Sequence, residues 1–530
     1  RESKSSVSKG TRHSSVQSEM GRGIPSLSRT VANLSGQEQR SAVSHAWGLG
    51  LAQVVGAGAS ALLLPVLTRV LGPDAYGQWS LVLVLISYVL PWTDLGVARG
   101  IIRFCPTYDT SDARLNVYRT VRRFAFMVSL SMGVLLAVLS PWLAQIAIGD
   151  AADWHLLCLI ALLFPLEALF RVGTAFVQAE ERLAHYARIS TGRHVGELLL
   201  LTIAALLTAD IAWLLLARII SLSVVVAWIL YAGRRQLATQ RSDWSLAPIR
   251  QFVGFGLPMI PAVFVWALIM SADRYMLKMW SSVSDVGLYN VADILALMLI
   301  NWTRPINGVL QPKLANLRST NVAESERYIR ISFRWLAVLM APCAVFLATM
   351  GRPVITLLSG AAFADAAHAL PWLALGYVII GLTNPLYHVV YLRRGGFAFL
   401  WLYGAALAVN IALNAVLIPQ HGLSGAAFAT MAAFLAYAVG LFALALPNEQ
   451  RMIAAESMAL VKIAGSAGVA ALVMATASSH GHLAVIAGAL AGGIIFFILM
   501  LVLRVIHRHE IRELLIPVRS WLRPRKGPEQ

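Results

Sequence analysis

Apolar runs of about 20 residues recur from near residue 46 to near residue 503, each long enough to cross ~30 Å of hydrocarbon as a helix. They fall at 46–68, 77–98, 124–148, 156–177, 188–208, 211–231, 252–272, 286–310, 332–350, 367–390, 397–417, 423–446, 458–477 and 482–503. The connections between them are mostly short. Ala209-Asp210 and the stretch from Pro419 to Gly422 leave room only for antiparallel neighbours. A helix satisfies its own backbone polar groups, which lipid cannot do. The pattern therefore predicts an all-α integral membrane protein with about 14 transmembrane helices.

Composition agrees. The chain is 58% hydrophobic and 13% charged, against about 25% charge in a soluble domain. The formal charge of +17 suggests nucleic acid at first, but no soluble stretch interleaves basic and aromatic residues to bind it. Topology explains the charge instead. With the N-terminus inside, 36 Lys and Arg residues fall in cytoplasmic segments and four outside: Arg69, Arg274, Lys278 and Arg352. This bias sets both termini in the cytoplasm and requires an even number of spans. Residues 1–42 are rich in Ser, Arg and Gln and read as a disordered cytoplasmic tail, with Met20 a candidate natural start. Ile511, Leu514, Leu515, Val518 and Leu522 recur at helical spacing among arginines, which suits a helix lying on an anionic leaflet. Cys105, Cys158 and Cys343 are isolated and read as structural thiols.

The chain also repeats at an offset of 210 residues. Gly77-Gln78-Trp79 aligns with Gly287-Leu288-Tyr289, Trp92-Thr93-Asp94 with Trp302-Thr303-Arg304, and Arg103 with Lys313. The repeat divides the chain into an N-lobe (43–232, six spans), a basic cytoplasmic linker (233–250) and a C-lobe (251–447, six spans). A final pair of spans (448–505) and the basic amphipathic cytoplasmic tail (506–530) complete it. Two pseudo-symmetric lobes that rock around a central cavity are transporter architecture.

Charges inside spans are costly, so they point to a watery cavity or to a partner. Glu167 and Arg171 are spaced to pair on one helix, as are Arg193 and Glu197. Asp94, Arg99 and Arg103 follow one another along the second span; Asp293, Asn301 and Arg304 follow along the eighth. Asp94 and Arg304 occupy equivalent repeat positions with opposite sign and are expected to face each other across the cavity. Arginine suits phosphate because its planar fork binds two oxygens and stays charged. Arg69 and Arg274, at outer ends, are candidate headgroup contacts after the lobes tilt. Arg218 sits centrally in the sixth span with an open role. Trp92, Trp266, Trp302, Trp401 and Tyr403 are candidates for stacking on sugars, set against the usual role of such residues as membrane anchors. No phosphate loop, His-Glu-x-x-His motif or nucleophile beside a base appears, so the chain is expected not to be an enzyme and to hold no cofactor or metal.

Arg69 to Gly77 (RVLGPDAYG), Asp94-Leu95-Gly96, Asp273-Arg274 followed by Val286-Gly287-Leu288-Tyr289, and the stretch from Asn410 to Thr430 with Leu417-Ile418-Pro419 and Gly425-Ala426-Ala427 resemble bacterial polysaccharide flippases. These belong to the multidrug/oligosaccharidyl-lipid/polysaccharide exporter superfamily. The resemblance runs from about residue 43 to residue 505. It implies flipping of an undecaprenyl-pyrophosphate-linked oligosaccharide repeat unit across the bacterial inner membrane by alternating access. Its implied partners are that substrate, membrane lipids and other polysaccharide-assembly proteins. Proton or sodium coupling would run through Asp94, Asp293 or Glu167. The alternatives are a cation-coupled multidrug antiporter, a peptidoglycan lipid-precursor flippase and a membrane-embedded polysaccharide polymerase or ligase.

Overall fold

The computed structural model describes residues 36–147, 153–238, 245–303, 322–477 and 482–505. These residues are helical almost throughout, with no strand among them. The helices are α1 (Gly36–Val89), α2 (Val97–Phe104), α3 (Ser111–Ala147), α4 (Trp154–Ala179), α5 (Leu183–Thr208), α6 (Ile211–Ala238) and α7 (Leu246–Gly256). After them come α8 (Ile260–Trp280), α9 (Val283–Leu297), α10 (Val322–Ser359), α11 (Leu370–Leu444), α12 (Pro447–Ala454), α13 (Ser457–Ala477) and α14 (His482–Val502). The stretch 36–42, expected as tail, is the start of α1. The rest of that tail, the middle of the linker and the expected amphipathic tail lie outside the described residues.

Twelve stretches among the described residues are long and apolar enough to cross a membrane. The fourteen expected spans differ from that number because two turns are buried within continuous helices. Gly72 interrupts α1 with φ 72° and ψ 176°. In α11, Gly422 has φ 51°, and a Cβ on Gly425 would lie 2.4 Å from the Leu417 carbonyl oxygen. Residues eight apart in a straight helix are ~12 Å apart, so the chain doubles back here. Tyr403 stacks on Tyr437 and Asn410 bonds Thr430, nested around the same turn. A further reversal near 393–396 brings Tyr387 and Phe399 to 5.0 Å.

The N-terminal helices pack chiefly on one another, α1 on α5, α3 on α4, and α6 on α4 and α5. Among the C-terminal helices, α11 packs on α8, α9 and α10, while α13 packs on α10 and α14. Two close glycine contacts join these sets. A Cβ on Gly77 would lie 2.0 Å from the Val283 carbonyl oxygen, and a Cβ on Gly287 would lie 2.2 Å from the Pro73 carbonyl oxygen. Pro73 and Val283 are 210 residues apart, as are Gly77 and Gly287, so the contact is reciprocal in the manner of a two-fold interface. Gly96 meets Gly256 in the same backbone-to-backbone way, and Phe104 stacks on Phe252 beside it. From Gly77 to the end of α1 at Val89 the helix rises ~18 Å, so the two glycine contacts are well separated along the second span.

Candidate functional site: a cavity between the helix sets

Ser87, Leu90 and Pro91 line a cavity of about 330 Å³ beside the Gly96 contact, together with Gly96, Arg99, Arg171, Ile260 and Val263. A second cavity of about 300 Å³ shares Arg99 and Val263 with it. Its other walls are Met259, Ala262, Trp266, Tyr387, Tyr391, Gly396, Phe399 and Tyr403. The two walls differ in chemistry. Both arginines come from N-terminal helices, α2 and α4. The aromatic side chains come from α8 and α11.

The chain reaches Arg99 through a sharp turn. Leu95 and Gly96 are both left-handed, with φ 45° and 75°, a conformation that only glycine adopts at little cost. The fully buried Asp94 carboxylate then accepts a hydrogen bond from the Ala98 backbone N–H at 3.3 Å, capping α2. The other Asp94 oxygen meets Arg171 at 3.6 Å and accepts no hydrogen bond. Arg171 also donates to the Leu90 carbonyl at 2.9 Å. Its side chain is 30% exposed, so part of its fork faces the cavity.

The helical spacing of charges gave one wrong pair and one long one. Glu167 does not pair with Arg171 on its own helix. It is held by both terminal nitrogens of Arg193, one of them at 3.0 Å. Arg193 reaches Glu197 only at 3.9 Å, and Glu197 lies 3.5 Å from Arg218. Asp94 takes Arg171, and the expected opposition of Asp94 and Arg304 has no counterpart among the described residues, because Arg304 and the Trp302 side chain lie outside them. Arg218 therefore has a role: with Arg193 it balances the two glutamates.

Arg274, expected at an outer surface, is instead buried. It donates to Asp293 at 2.6 Å, to the Met270 carbonyl at 2.8 Å and to Asn290 at 3.3 Å, and lies 3.4 Å from Asp273. Tyr377 donates to Asp293 at 2.6 Å. Tyr289 and Thr430 donate to Asp273. Asn290 in turn donates to the Tyr76 hydroxyl of α1 at 3.1 Å, which ties the cluster to the glycine contact at Gly77. Arg69 is exposed and donates to the Leu357 carbonyl, away from the cavities. Arg103 is exposed and lies 4.9 Å over the Phe255 ring. Asn301 is half-buried in the short turn after α9 and lines neither cavity.

Of the proposed sugar-stacking residues, Trp266 and Tyr403 line the second cavity. Trp92 packs on Phe264, and Trp401 is 69% exposed on the outer surface of the bundle. Sequence reasoning missed Tyr387, Tyr391 and Phe399. Their spacing of four and eight residues was visible, but the reversal at 393–396 that folds them into one wall was not. Among the described residues no group of three or more His, Cys, Asp or Glu side chains is placed to hold a metal ion.

The fold is that of a multi-pass helical membrane protein with a cavity between two helix sets. The lipid II flippase MurJ in an inward closed conformation has the same fold, with TM-score 0.71 and 11% identity over 87% of this chain and 98% of that one. A multidrug MATE transporter in an inward-facing conformation gives TM-score 0.60 at 16% identity, over 76% and 96% of the two chains. Within that fold, residues 66–368 match the polysaccharide biosynthesis protein family, and the chain belongs to it. A Shigella flexneri protein named as an O-antigen transporter is 22% identical over 68% of this chain and 87% of its own length. The succinoglycan biosynthesis transport protein ExoT of Rhizobium meliloti (strain 1021) is 23% identical over 66% and 68%.

Proposed function

We propose that this chain flips an undecaprenyl-pyrophosphate-linked oligosaccharide repeat unit across the bacterial inner membrane by alternating access, for surface polysaccharide assembly. Both termini lie in the cytoplasm in this reading, supported by the 36-to-4 bias of basic residues. The observation that carries it is the pair of arginines, Arg99 and Arg171, on the wall of a cavity between the helix sets. Two cations inside a membrane protein favour an anion there, and the fork of arginine fits phosphate oxygens. Asp94 holds Arg171 only at 3.6 Å, so an entering phosphate takes over a contact that is already long. The same cations disfavour the cationic drugs that an antiporter reading would require.

Family relatives named as transporters of surface polysaccharide support this substrate class and a non-enzymatic role. Outward movement of the anionic headgroup is favoured by an inside-negative potential, by about 2.3 kcal/mol per charge per 100 mV. Ion coupling fits the Asp273–Arg274–Asp293 cluster better than Asp94 or Glu167. Those two carboxylates are met by arginines, whereas the cluster sets two carboxylates against one arginine.

The test is export in cells. Arg99→Ala and Arg171→Ala each remove charge-assisted hydrogen bonds worth about 1.5–3 kcal/mol. Lipid-linked repeat units should accumulate on the inner leaflet, at normal protein levels for Arg99→Ala; Arg171→Ala also strands Asp94, so its levels are read against Arg171→Lys. Arg171→Lys, which keeps the charge that meets Asp94, controls for folding and should export at an intermediate rate. Undiminished export by both alanine variants would sink the proposal.

A further inference from the structure

We infer that recognition of the substrate is divided between the two helix sets: the arginine wall takes the pyrophosphate, and the aromatic wall of α8 and α11 takes the first sugar rings. The inference rests on the flippase reading above and names the part of the glycan-lipid that the second cavity binds.

The wall is a continuous lattice of rings. Tyr387 stacks on Tyr391 with centroids 5.5 Å apart, and both meet Phe399. Phe399 meets Tyr403 at 5.9 Å, and Tyr403 meets Trp266 at 5.1 Å. Phe399 is buried beneath, while Trp266, Tyr387, Tyr391 and Tyr403 are half-buried and line the space. Aromatic faces carry negative potential, and the polarised C–H bonds of a pyranose face are complementary to it. The Tyr387 and Tyr403 hydroxyls bond each other, and Tyr403 also bonds Tyr437, so the wall offers ring faces for stacking beside a hydroxyl network that a sugar hydroxyl can join.

Arg99 is common to both cavities. The junction between arginine wall and aromatic wall therefore matches the junction between pyrophosphate and first sugar. A bare polyprenyl pyrophosphate in the first cavity meets only Ile260 and Val263 of the C-terminal set, whereas a glycan-lipid also reaches the rings of α8 and α11. The added binding energy is then available only from a sugar-bearing lipid, which would let the protein discriminate against the sugarless one.

Binding of two probes to the detergent-purified protein tests this: undecaprenyl pyrophosphate, and the same lipid bearing one hexose. The wild type should bind the hexose form about ten-fold tighter, the order expected from one or two ring contacts. Tyr387→Leu/Tyr403→Leu should remove that increment and leave binding of the sugarless lipid unchanged, which also shows that the variant is folded. Tyr387→Phe/Tyr403→Phe should keep part of it. An increment that survives the leucine substitutions, an equal fall for both probes, or a wild type that binds both probes equally overturns the inference. A wild type that binds neither probe overturns the flippase reading itself.

Discussion

Replacing Gly77 by alanine tests whether the repeat is a physical two-fold contact. The new Cβ would stand 2.0 Å from the Val283 carbonyl oxygen, where ordinary contact begins at 3.4 Å. Neither atom belongs to a flexible side chain, so the helices must separate by roughly 1 Å or more, forfeiting much of their mutual dispersion attraction. Overpacking of this kind costs about 1–3 kcal/mol. Between membrane helices, where close approach of small residues supplies the attraction, little else compensates. Gly287→Ala pushes the same two helices apart from the other side and should cost a similar amount. The double substitution is the sharper test. Once the first methyl has separated the helices the second is partly accommodated, so the double variant should cost less than the two singles together. Thermal unfolding of the purified variants reads this directly. Unchanged unfolding in both singles, or full additivity in the double, would refute the reciprocal contact.

Three other substitutions check the buried charges and the thiol. Arg274→Met leaves Asp273 and Asp293 buried without their cation and should cost about 3–5 kcal/mol, seen as loss of folded protein in the membrane rather than as selective loss of substrate binding. Arg193→Leu strands Glu167, which is 2% exposed, and should destabilise by a similar ~3–5 kcal/mol; recovery on adding Glu167→Gln would show that the pair, not arginine packing, carries the effect. Burial, with the Glu180 carboxylate nearby, pushes the Cys105 thiol up to about 11. It should therefore resist maleimide at neutral pH in the folded protein, and rapid labelling would show that the segment after α2 opens.

The span pattern was legible because lipid leaves the backbone one choice and demands about 20 apolar residues for each crossing. The repeat was legible for a related reason. Gly77 and Gly287 touch in the fold, and a side chain at either position would hold the helices apart. Charge partners were legible only in part: Arg193 does meet Glu197, but at 3.9 Å. Glu167 and Arg171 satisfy the spacing rule for one helix, yet helices at three-dimensional neighbour positions offered each a better partner. Arg193 reaches Glu167 from α5, and Asp94 reaches Arg171 from the turn before α2. Arg274 illustrates the same limit. Its sequence position near a span end suggested an accessible headgroup contact, and only the packing of α9 and α11 around it shows a buried structural cation. The aromatic wall stayed hidden because it depends on a reversal that leaves no break in the helical assignment of α11.

The charge balance of the two buried networks separates a structural role from a coupling role. In the N-terminal set, Asp94, Glu167 and Glu197 are met by Arg171, Arg193 and Arg218. In the C-terminal cluster, Arg274 meets both Asp273 and Asp293, closely only with the latter, at 2.6 Å against 3.4 Å. Both carboxylates are at least nine-tenths buried. An unmatched charge there costs several kcal/mol, which is the physical basis for the ion coupling proposed at this cluster. The looser contact assigns the surplus to Asp273, whose other oxygen already accepts from Tyr289 and Thr430. Asp273→Asn keeps an acceptor for those hydroxyls and removes the surplus. It should unfold no more easily than the wild type, and transport in proteoliposomes should lose its response to an imposed sodium or proton gradient. Asp293→Asn takes away the close partner of Arg274 and should destabilise instead. If Asp273→Asn proved the more destabilising of the two, or if its transport still followed the gradient, Asp273 would be a structural carboxylate and the coupling ion would act elsewhere.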